Sequence, residues 1–395
     1  MLLIGGAGCY GREVARLLTD APEITELILA GRDLAMVQSL AAALGEKASA
    51  ARLDLSHAGE LGAIAADVDL VVNAAGPERL VVLPALRETI AAGVDYCDIG
   101  ASARVTIEAR RLDSEARDAH VTALLGVGEF PGLSNLTMLR AAQALDAPQD
   151  VHHCVVYVPA NKAERPAERL ERWRKSGRVD ASWQNIMRSF ASPVPILRNG
   201  RIVEVEPADE PTTVTLASGV DLVAYPVGFS EPVTLRDALP GLPAASTLWS
   251  FLPSSLNERA LELGAAIARG ELDESEAAIR CYEGLVSRAS TPGELQGLRG
   301  SWALWAEATG VKDGRQAIAR CAARGNWATT EGLLCAAALR LLRGEIGRRG
   351  VLSPESCLDP LPYLSEAARL AGAATATGEL LEERVLTGHP VAPGS

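Results

Sequence analysis

Paired cysteines are missing from this sequence of 395 residues. The seven cysteines are scattered, their count is odd, and no Cys-x-x-Cys occurs. This pattern argues against a disulfide framework and against a zinc site, and it fits a reducing cytoplasm. The five histidines also lack the spacing of metal ligands, so we expect no metal site.

An excess of basic residues is also missing. Acidic side chains outnumber basic ones by 50 to 38, for a net charge of −12. Proteins that bind the phosphate backbone of nucleic acids normally carry a basic excess or stripe, so we expect no nucleic-acid partner. No apolar run is long enough for a membrane span, and no basic segment precedes the first apolar residues. We therefore expect neither a membrane span nor a signal peptide.

The first 125 residues or so alternate short apolar runs with helical patterns. This alternation predicts a doubly wound parallel sheet. The six apolar runs are Leu2–Ile4, Leu27–Ala30, Ala51–Leu53, Leu70–Asn73, Asp95–Ile99 and Val121–Leu125.

The pattern changes further along the chain. A long strand from Val151, a hairpin turning at Asn199-Gly200 and two later strands predict an antiparallel sheet. The stretch from Leu256 to Arg349 reads as almost entirely helical. We therefore predict an α/β domain over residues 1–128 and an α+β domain over 129–253. We also predict a mainly helical region over 254–380, part of which packs on the first two domains, and a flexible tail over 386–395.

A glycine-rich loop follows the first predicted strand. Gly6, Gly8 and Gly11 form a Gly-x-Gly-x-x-Gly pattern between a strand and a helix. Gly6 permits a tight turn, Gly8 leaves room for a pyrophosphate, and Gly11 allows close packing of the helix on the strand. The helix N-terminus then directs its amide groups at the phosphates. A glycine-rich turn without a ligand is the alternative.

The end of the second strand decides which dinucleotide is expected. An NAD site usually has a carboxylate there, whereas this strand ends in Ala30, with Arg32 shortly after it. A guanidinium suits a 2′-phosphate, so we predict NADP. Arg32 as a solvated loop residue is the alternative, and Asp33 is evidence against the prediction because its carboxylate can serve a ribose.

Several other strand ends supply candidate ligands. Asp54 is predicted either to bind the adenine amino group or to cap a helix. The small residues after Asn73, which are Ala74, Ala75 and Gly76, allow a ligand to approach the sheet closely.

These segments resemble the NADP-binding domain of the saccharopine dehydrogenase family. The resemblance lies in GGAGCYGREVARLL, LILAGRD, LVVNAAGP and AAGVDYCDIGAS, and GEFPGLSNL is similar to the family's crossover into its second domain. It is good over about 135 residues and patchy afterwards. The family's small-residue segment near Ser176–Asp180 differs here, so the usual amino-acid substrate does not transfer.

The resemblance implies a Rossmann domain, an α+β substrate and dimerisation domain, and hydride transfer at a carbon–nitrogen bond. It implies a homodimer that reduces an imine or oxidises a secondary amine. Most of the cofactor residues that it implies belong to the glycine loop. They are Gly6, Gly8, Cys9, Tyr10 and Gly11 for the pyrophosphate, Arg32 for the 2′-phosphate, and Asn73 to Gly76 for the nicotinamide ribose.

Hydride addition to an imine is helped by a general acid near the nitrogen. Asp98 is the first candidate because it ends a strand at the crevice, and Tyr96 lies on the same face of that strand. The alternative role of Asp98 is that of a helix cap or structural carboxylate. Glu129 is a weaker candidate.

Candidate substrate residues are more scattered. Ser134 and Asn135 open a helix after Pro131-Gly132, where they either bind an anion or cap the helix. The remaining candidates are polar or aromatic residues of the later regions, namely Tyr157, Asn161, Lys162, Arg188, Tyr225, Trp327, Thr329 and Thr330.

The sequence thus predicts an NADP-dependent oxidoreductase acting on a small molecule with a carbon–nitrogen bond. A ketone or aldehyde reductase and a non-catalytic NADP-binding sensor are the alternatives, because the fold alone does not imply chemistry.

Overall fold

The computed structural model describes residues 1–157, 166–216, 219–287, 302–323, 329–373 and 380–390. The chain forms two compact units. Unit 1 contains residues 1–136 and 324–381, and unit 2 contains residues 137–323 and 382–395. The chain therefore leaves unit 1, builds unit 2, and returns to unit 1.

Unit 1 is built on a seven-stranded parallel sheet. Its strands are β1 (Leu2–Ile4), β2 (Leu27–Gly31), β3 (Ala48–Arg52), β4 (Leu70–Asn73), β5 (Asp95–Asp98), β6 (Thr122–Leu124) and β15 (Gly350–Leu352). Their order is β15-β6-β5-β4-β1-β2-β3, and each neighbouring pair runs parallel. The order reverses between β1 and β4, and ligands of open α/β sheets bind outside the carboxyl ends of the strands at such a point. The predicted doubly wound domain is confirmed.

The helices of unit 1 connect these strands. They are α1 (Gly11–Asp20), α2 (Leu34–Leu44), α3 (Glu60–Ala65), α4 (Glu78–Ala91), α5 (Ala103–Ala109), α6 (Asp113–Asp118), α13 (Thr330–Leu342), α14 (Pro354–Cys357) and α15 (Pro360–Leu370). Helix α1 shows why they form, because Val14, Leu17 and Leu18 are buried on one face while Glu13 and Arg16 are exposed on the other.

The returning segment completes the sheet of unit 1. Strand β15 pairs in parallel with β6, and the carboxylate of Asp113 accepts a hydrogen bond from the Val351 amide at 2.9 Å. Arg349 donates to the Thr122 hydroxyl at 2.7 Å, and Thr122 donates to the Arg348 carbonyl at 2.9 Å. A segment more than 220 residues away in sequence is thus fixed to the early part of the chain.

Unit 2 is built on a mixed sheet with helices. Its strands are β7 (Ala147–Tyr157), β8 (Val194–Arg198), β9 (Arg201–Val205), β10 (Thr212–Thr215), β11 (Asp221–Pro226), β12 (Ala244–Phe251), β13 (Trp302–Lys312), β14 (Arg315–Ala323) and β16 (Leu381–Pro390). The main path is β10-β11-β12-β7-β13-β14-β16, and β8 joins β12 and β9 beside it. Its helices are α8 (Pro166–Ser176), α9 (Ala181–Ser189), α10 (Glu231–Ala238), α11 (Ser255–Ala268) and α12 (Glu274–Ser287), while α7 (Leu133–Gln143) spans the division between the units.

The predicted hairpin of unit 2 is confirmed. Strands β8 and β9 form the predicted hairpin, and Asn199 and Gly200 at its turn have φ angles of 50° and 71°. Both residues tolerate this left-handed region, and such a turn matches the twist of the flanking strands.

Three expectations for the later chain are wrong. The sheet is mixed rather than antiparallel, because β12 runs parallel to β7. The glycine, proline and serine residues around β12 are typical of loops, so the sequence did not predict this strand. The predicted helical region contains the hairpin of β13 and β14 instead of continuous helix. The predicted tail from Leu386 begins inside β16. Strands β13 and β14 are rich in alanine, which favours helix locally. The pairing of β13 with β7 outweighs this local preference.

The helices of unit 2 pack on the sheet through aromatic rings. Tyr157 of β7 lies 5.1 Å from Trp183 of α9, measured between ring centroids. Tyr282 of α12 lies 4.9 Å from both Trp183 and Trp173 of α8. All four rings are buried, so they form the core between these helices and the sheet.

A buried histidine lies in the same sheet. His153 of β7 is 1% exposed, and its strand neighbours are Thr247 of β12 and Ala306 of β13. Its Nδ1 atom has no hydrogen-bond partner in the described part of the chain. Burial lowers the pKa of His153 to about 3, so the ring is neutral near neutral pH.

None of the helices in the described ranges is long and apolar enough to cross a membrane.

The stability of the protein should depend on pH through His153. In the unfolded chain a histidine titrates near pH 6.5, whereas in the fold its pKa is about 3. Its contribution to stability is therefore present above pH 6.5 and is lost as the pH falls toward 3. We expect the free energy of unfolding to fall by about 2 kcal/mol between pH 7 and pH 5 from this group alone.

Urea unfolding of the wild type and of His153→Met at both pH values measures this contribution. The variant replaces the imidazole with an apolar side chain that does not titrate. An equal pH dependence in the two proteins would show that His153 does not contribute.

Candidate functional site

The glycine loop lies directly after β1, at the reversal point of the sheet. The Gly5 amide donates to the Ala30 carbonyl at 2.9 Å, and the Gly8 amide donates to the Gly5 carbonyl at 2.8 Å. Gly6 and Ala7 are the central residues of the tight turn that the bond from Gly8 closes, and Gly5, with a φ of 78°, leads into it. Gly5 also lies against Ala75, where an added Cβ would come within 2.7 Å of backbone atoms.

The other two glycines of the pattern have the predicted spatial roles. A Cβ at Gly11 would lie 2.1 Å from the Gly5 oxygen, so the start of α1 packs too closely on the loop for a side chain. A Cβ at Gly8 would meet only that same oxygen, at 3.0 Å, and has open space otherwise. This space beside Gly8 is the cradle in which the sequence predicts the pyrophosphate. The rest of the loop consists of the exposed Cys9 and of Tyr10, the residue that precedes α1.

Arg32 lies immediately after β2 and its side chain is exposed. Within the described part of the chain it forms no hydrogen bond or ion pair. Asp33 caps α2 instead, since its carboxylate accepts a hydrogen bond from the Met36 amide at 3.1 Å. The cation predicted to bind the 2′-phosphate is thus available, while the competing carboxylate has a structural role.

Asp54 follows β3 and makes a local turn. Its Oδ1 accepts hydrogen bonds from the hydroxyl and the amide of Ser56, at 2.8 and 3.1 Å. These bonds lower the pKa of Asp54, and the charge of Arg32 adds to the effect. The alternative prediction of a helix cap is wrong, because Gly59 precedes α3. Asp54 is therefore an ionised carboxylate whose charge interacts with that of Arg32.

A chain of buried hydrogen bonds joins the carboxyl ends of β4 and β5. Asn73 donates from Nδ2 to the Tyr96 hydroxyl at 2.9 Å, and Tyr96 donates to Oδ2 of Asp98 at 3.0 Å. No side chain of the three is more than 1% exposed. Asn73 also accepts from the Ala75 amide at 3.0 Å, which holds the loop of Ala74, Ala75 and Gly76 beside Gly5.

Asp98 extends this chain to a third strand. Its Oδ1 accepts hydrogen bonds from the amides of Gly100 and Gly126, both at 2.9 Å. Burial raises the pKa of Asp98, and the bonds from Gly126, Gly100 and Tyr96 oppose the rise. Burial and the charge of Asp98 raise the pKa of Tyr96, which therefore keeps its proton.

The geometry limits what Asp98 and Tyr96 do in a reaction. Both were predicted as catalytic residues, and that role remains a prediction. Each is buried, and each is already committed to the hydrogen-bond chain. Their arrangement fits residues that position the loops after β4, β5 and β6, which is the structural alternative stated for Asp98.

Ser134 and Asn135 lie buried in the first turn of α7. Oδ1 of Asn135 accepts from the Gly132 amide at 2.8 Å, and the Ser134 amide donates to the Glu129 carbonyl at 3.0 Å. Asn135 thus has the capping role named as its alternative. Thr330, at the start of α13, donates to the Glu129 carboxylate at 3.5 Å, so these residues of unit 1 form one group.

Tyr157, Arg188 and Tyr225 belong to unit 2, and each has its own partners there. Tyr157 belongs to the aromatic core, where its hydroxyl lies 3.3 Å from that of Tyr282. Arg188 forms an ion pair with Glu274. Tyr225 is paired in β11 with Trp249 of β12. Asn161, Lys162 and Trp327 lie outside the described residues.

Glu78 was not among the predicted residues. Its carboxylate accepts hydrogen bonds from the amides of Ala101 and Ser102, which ties the start of α4 to the loop after β5. A glutamate in the first turn of a helix was the available signal, but its partners lie 23 and 24 residues away in sequence. Among the described residues, no group of three histidines, cysteines or carboxylates is arranged to hold a metal ion.

Comparison with known proteins identifies this domain. Residues 1–124 match the family model of the saccharopine dehydrogenase NADP-binding domain. The first 124 residues are therefore an NADP-binding domain, and NADP is the cofactor. This defines the class as NADP-dependent oxidoreductases.

The whole chain has the saccharopine dehydrogenase fold. The structure of the L-Glu-forming saccharopine dehydrogenase from Saccharomyces cerevisiae aligns with a TM-score of 0.62 and 16% identity, and covers 98% of this chain and 99% of that one. The structure of GenD2 from gentamicin A biosynthesis, in complex with NAD, is 14% identical and aligns with a TM-score of 0.42. The alignment covers 98% of this chain and 95% of that one. Serine dehydrogenase from Escherichia coli is 15% identical and aligns with a TM-score of 0.27 over 31% of this chain and 79% of that one. The family model thus covers the first 124 residues, and the likeness to the yeast enzyme shows the fold of the whole chain.

Substitution of Gly11 by alanine should abolish NADPH binding while the protein remains folded. The new Cβ would overlap the Gly5 carbonyl at 2.1 Å, so the loop and the first turn of α1 must separate. Gly347→Ala is the matched control, since a Cβ at Gly347 meets nothing within 4 Å. Fluorescence titration with NADPH tests both variants, and unchanged affinity in Gly11→Ala would show that the close packing is not needed for binding.

Proposed function

We propose that this protein transfers hydride between NADP and a carbon–nitrogen bond, reducing an imine to a secondary amine or catalysing the reverse reaction. The NADP-binding domain and the saccharopine dehydrogenase fold support the oxidoreductase class. The hydrogen-bonded state of the predicted proton donors supports a carbon–nitrogen bond as the acceptor of the hydride.

The burial of Tyr96 and Asp98 is the observation that carries this choice. Hydride addition to a ketone gives an alkoxide, which must take up a proton from a nearby donor. A protonated imine already carries the proton on nitrogen, so hydride addition gives a neutral amine directly. The two first-choice donors, Tyr96 and Asp98, are both engaged in the chain from Asn73, which favours a substrate that arrives protonated.

The residues of unit 1 have distinct roles in this proposal. The cradle at Gly8 holds the pyrophosphate and Arg32 holds the 2′-phosphate. Asn73 and the small loop after it line the nicotinamide ribose. Asn73 holds that loop by accepting from the Ala75 amide, and its own side chain is fixed by donating to the Tyr96 hydroxyl. NADPH, when bound, supplies the hydride. We also propose that the active form is a homodimer.

Arg32→Ala should remove the preference for NADPH over NADH. Arg32 forms no ion pair among the described residues, so its loss should act mainly through the 2′-phosphate. We expect affinity for NADPH to fall by about tenfold or more and affinity for NADH to stay the same, since one charged hydrogen-bonded contact is worth about 1.5–3 kcal/mol. Fluorescence titration of both nucleotides measures this.

Arg104→Ala, a change at another arginine of unit 1, serves as a general control for the loss of positive charge. A wild-type protein that binds both nucleotides equally would overturn the role of Arg32.

Consumption of NADPH should require both an amine and a carbonyl compound. An imine forms only when both are present, so either compound alone should give the background rate. Absorbance at the NADPH band follows the reaction for a panel of amino acids with aldehydes or oxo acids. Turnover with the carbonyl compound alone would favour a ketone reductase, and binding without turnover of any pair would favour the sensor.

A further inference from the structure

Arg12 occupies an unfavourable position for a cation. It is the second residue of α1, a helix of 10 residues. The amide dipoles of a helix place positive partial charge at its N-terminus, so a positive side chain in the first turn is destabilising unless an anion lies nearby. Acidic side chains are the usual choice there.

The side chain of Arg12 folds back onto the glycine loop. Its Nε donates to the Ala7 carbonyl at 3.2 Å, and its guanidinium remains exposed. It has no ion pair with any carboxylate in the described part of the chain. Arg16, one turn further along, is paired with both Glu13 and Asp20.

Arg12 and Arg32 therefore share three properties. Each is an exposed arginine, each is without a carboxylate partner among the described residues, and each adjoins the turn where β1 and β2 end. The Gly5 amide bonds to the Ala30 carbonyl, so the two chain segments that carry them are joined directly. Two exposed guanidinium groups beside the glycine loop, neither of them in an ion pair within the described residues, suit a ligand with several phosphate charges.

We propose that Arg12 is a second cationic contact for the phosphate groups of NADP and acts beside Arg32. The bond from its Nε to Ala7 holds the guanidinium against the loop, so that its terminal N–H groups face the bound phosphates. This proposal rests on the proposed function only for the identity of the ligand. The group that Arg12 would contact is an anionic phosphate oxygen, which belongs either to the 2′-phosphate or to the pyrophosphate.

A purely structural role for Arg12 makes a different prediction. In that case only the bond to Ala7 matters. Glutamine separates the two roles, because its Nε2 is attached to Cδ just as Nε of arginine is. Arg12→Gln keeps a donor for the Ala7 carbonyl and removes the charge, whereas Arg12→Met removes both.

The experiment is fluorescence titration of the full-length protein with NADPH and with NADH at several salt concentrations. We expect Arg12→Gln to weaken NADPH binding about tenfold and to reduce its dependence on salt, because one ionic contact is lost. Arg12→Lys, which keeps the charge, should recover much of the affinity. Arg16→Gln, on the same helix, should bind as the wild type does.

The two nucleotides identify the phosphate. Weaker binding of NADPH alone assigns Arg12 to the 2′-phosphate, and equal weakening of both nucleotides assigns it to the pyrophosphate. Affinity equal to that of the wild type in Arg12→Gln overturns the proposal and leaves the cofactor assignment intact. A wild-type protein that binds neither nucleotide overturns both the proposal and the proposed function.

Discussion

Three donors converge on the buried carboxylate of Asp98, and the ends of three strands depend on this convergence. Tyr96 on its own strand, Gly100 in the next loop and Gly126 after β6 all donate to it. Through Tyr96 the contact reaches Asn73 at the end of β4. A buried charge is costly unless it is hydrogen-bonded, so the loops that satisfy Asp98 are fixed together.

Close backbone contact is the second constraint on the site. The loop after β4 touches Gly5, and the first turn of α1 touches the same residue from the other side. Neither contact leaves room for a Cβ. The loop predicted to hold the phosphates is thus shaped by close backbone contacts. Arg32 and Arg12 are the cations that we propose to contact the phosphates, in a protein whose net charge is −12.

Sequence order and spatial order differ most in the later part of the chain. Strand β13 pairs with β7, whose residues lie about 150 positions earlier, and β15 completes a sheet begun at residue 2. Strand β12 lies in a stretch that reads as a loop. Pairings of this kind leave no local signal, because the partner that stabilises the strand is remote. The prediction of helix over the residues of β13 and β14 failed for that reason.

The sequence by itself determined the N-terminal domain and its cofactor. Alternating apolar runs defined the parallel sheet, and the glycine pattern together with Arg32 after β2 indicated NADP, since each of these signals lies within a few residues. Only the tertiary structure decided what the polar strand ends do. Asp33 caps a helix, Asp54 forms a turn, and Asp98 satisfies three loops. A carboxylate looks the same in sequence whether it faces a ligand or a backbone amide, and its role depends on donors that only the folded chain brings to it.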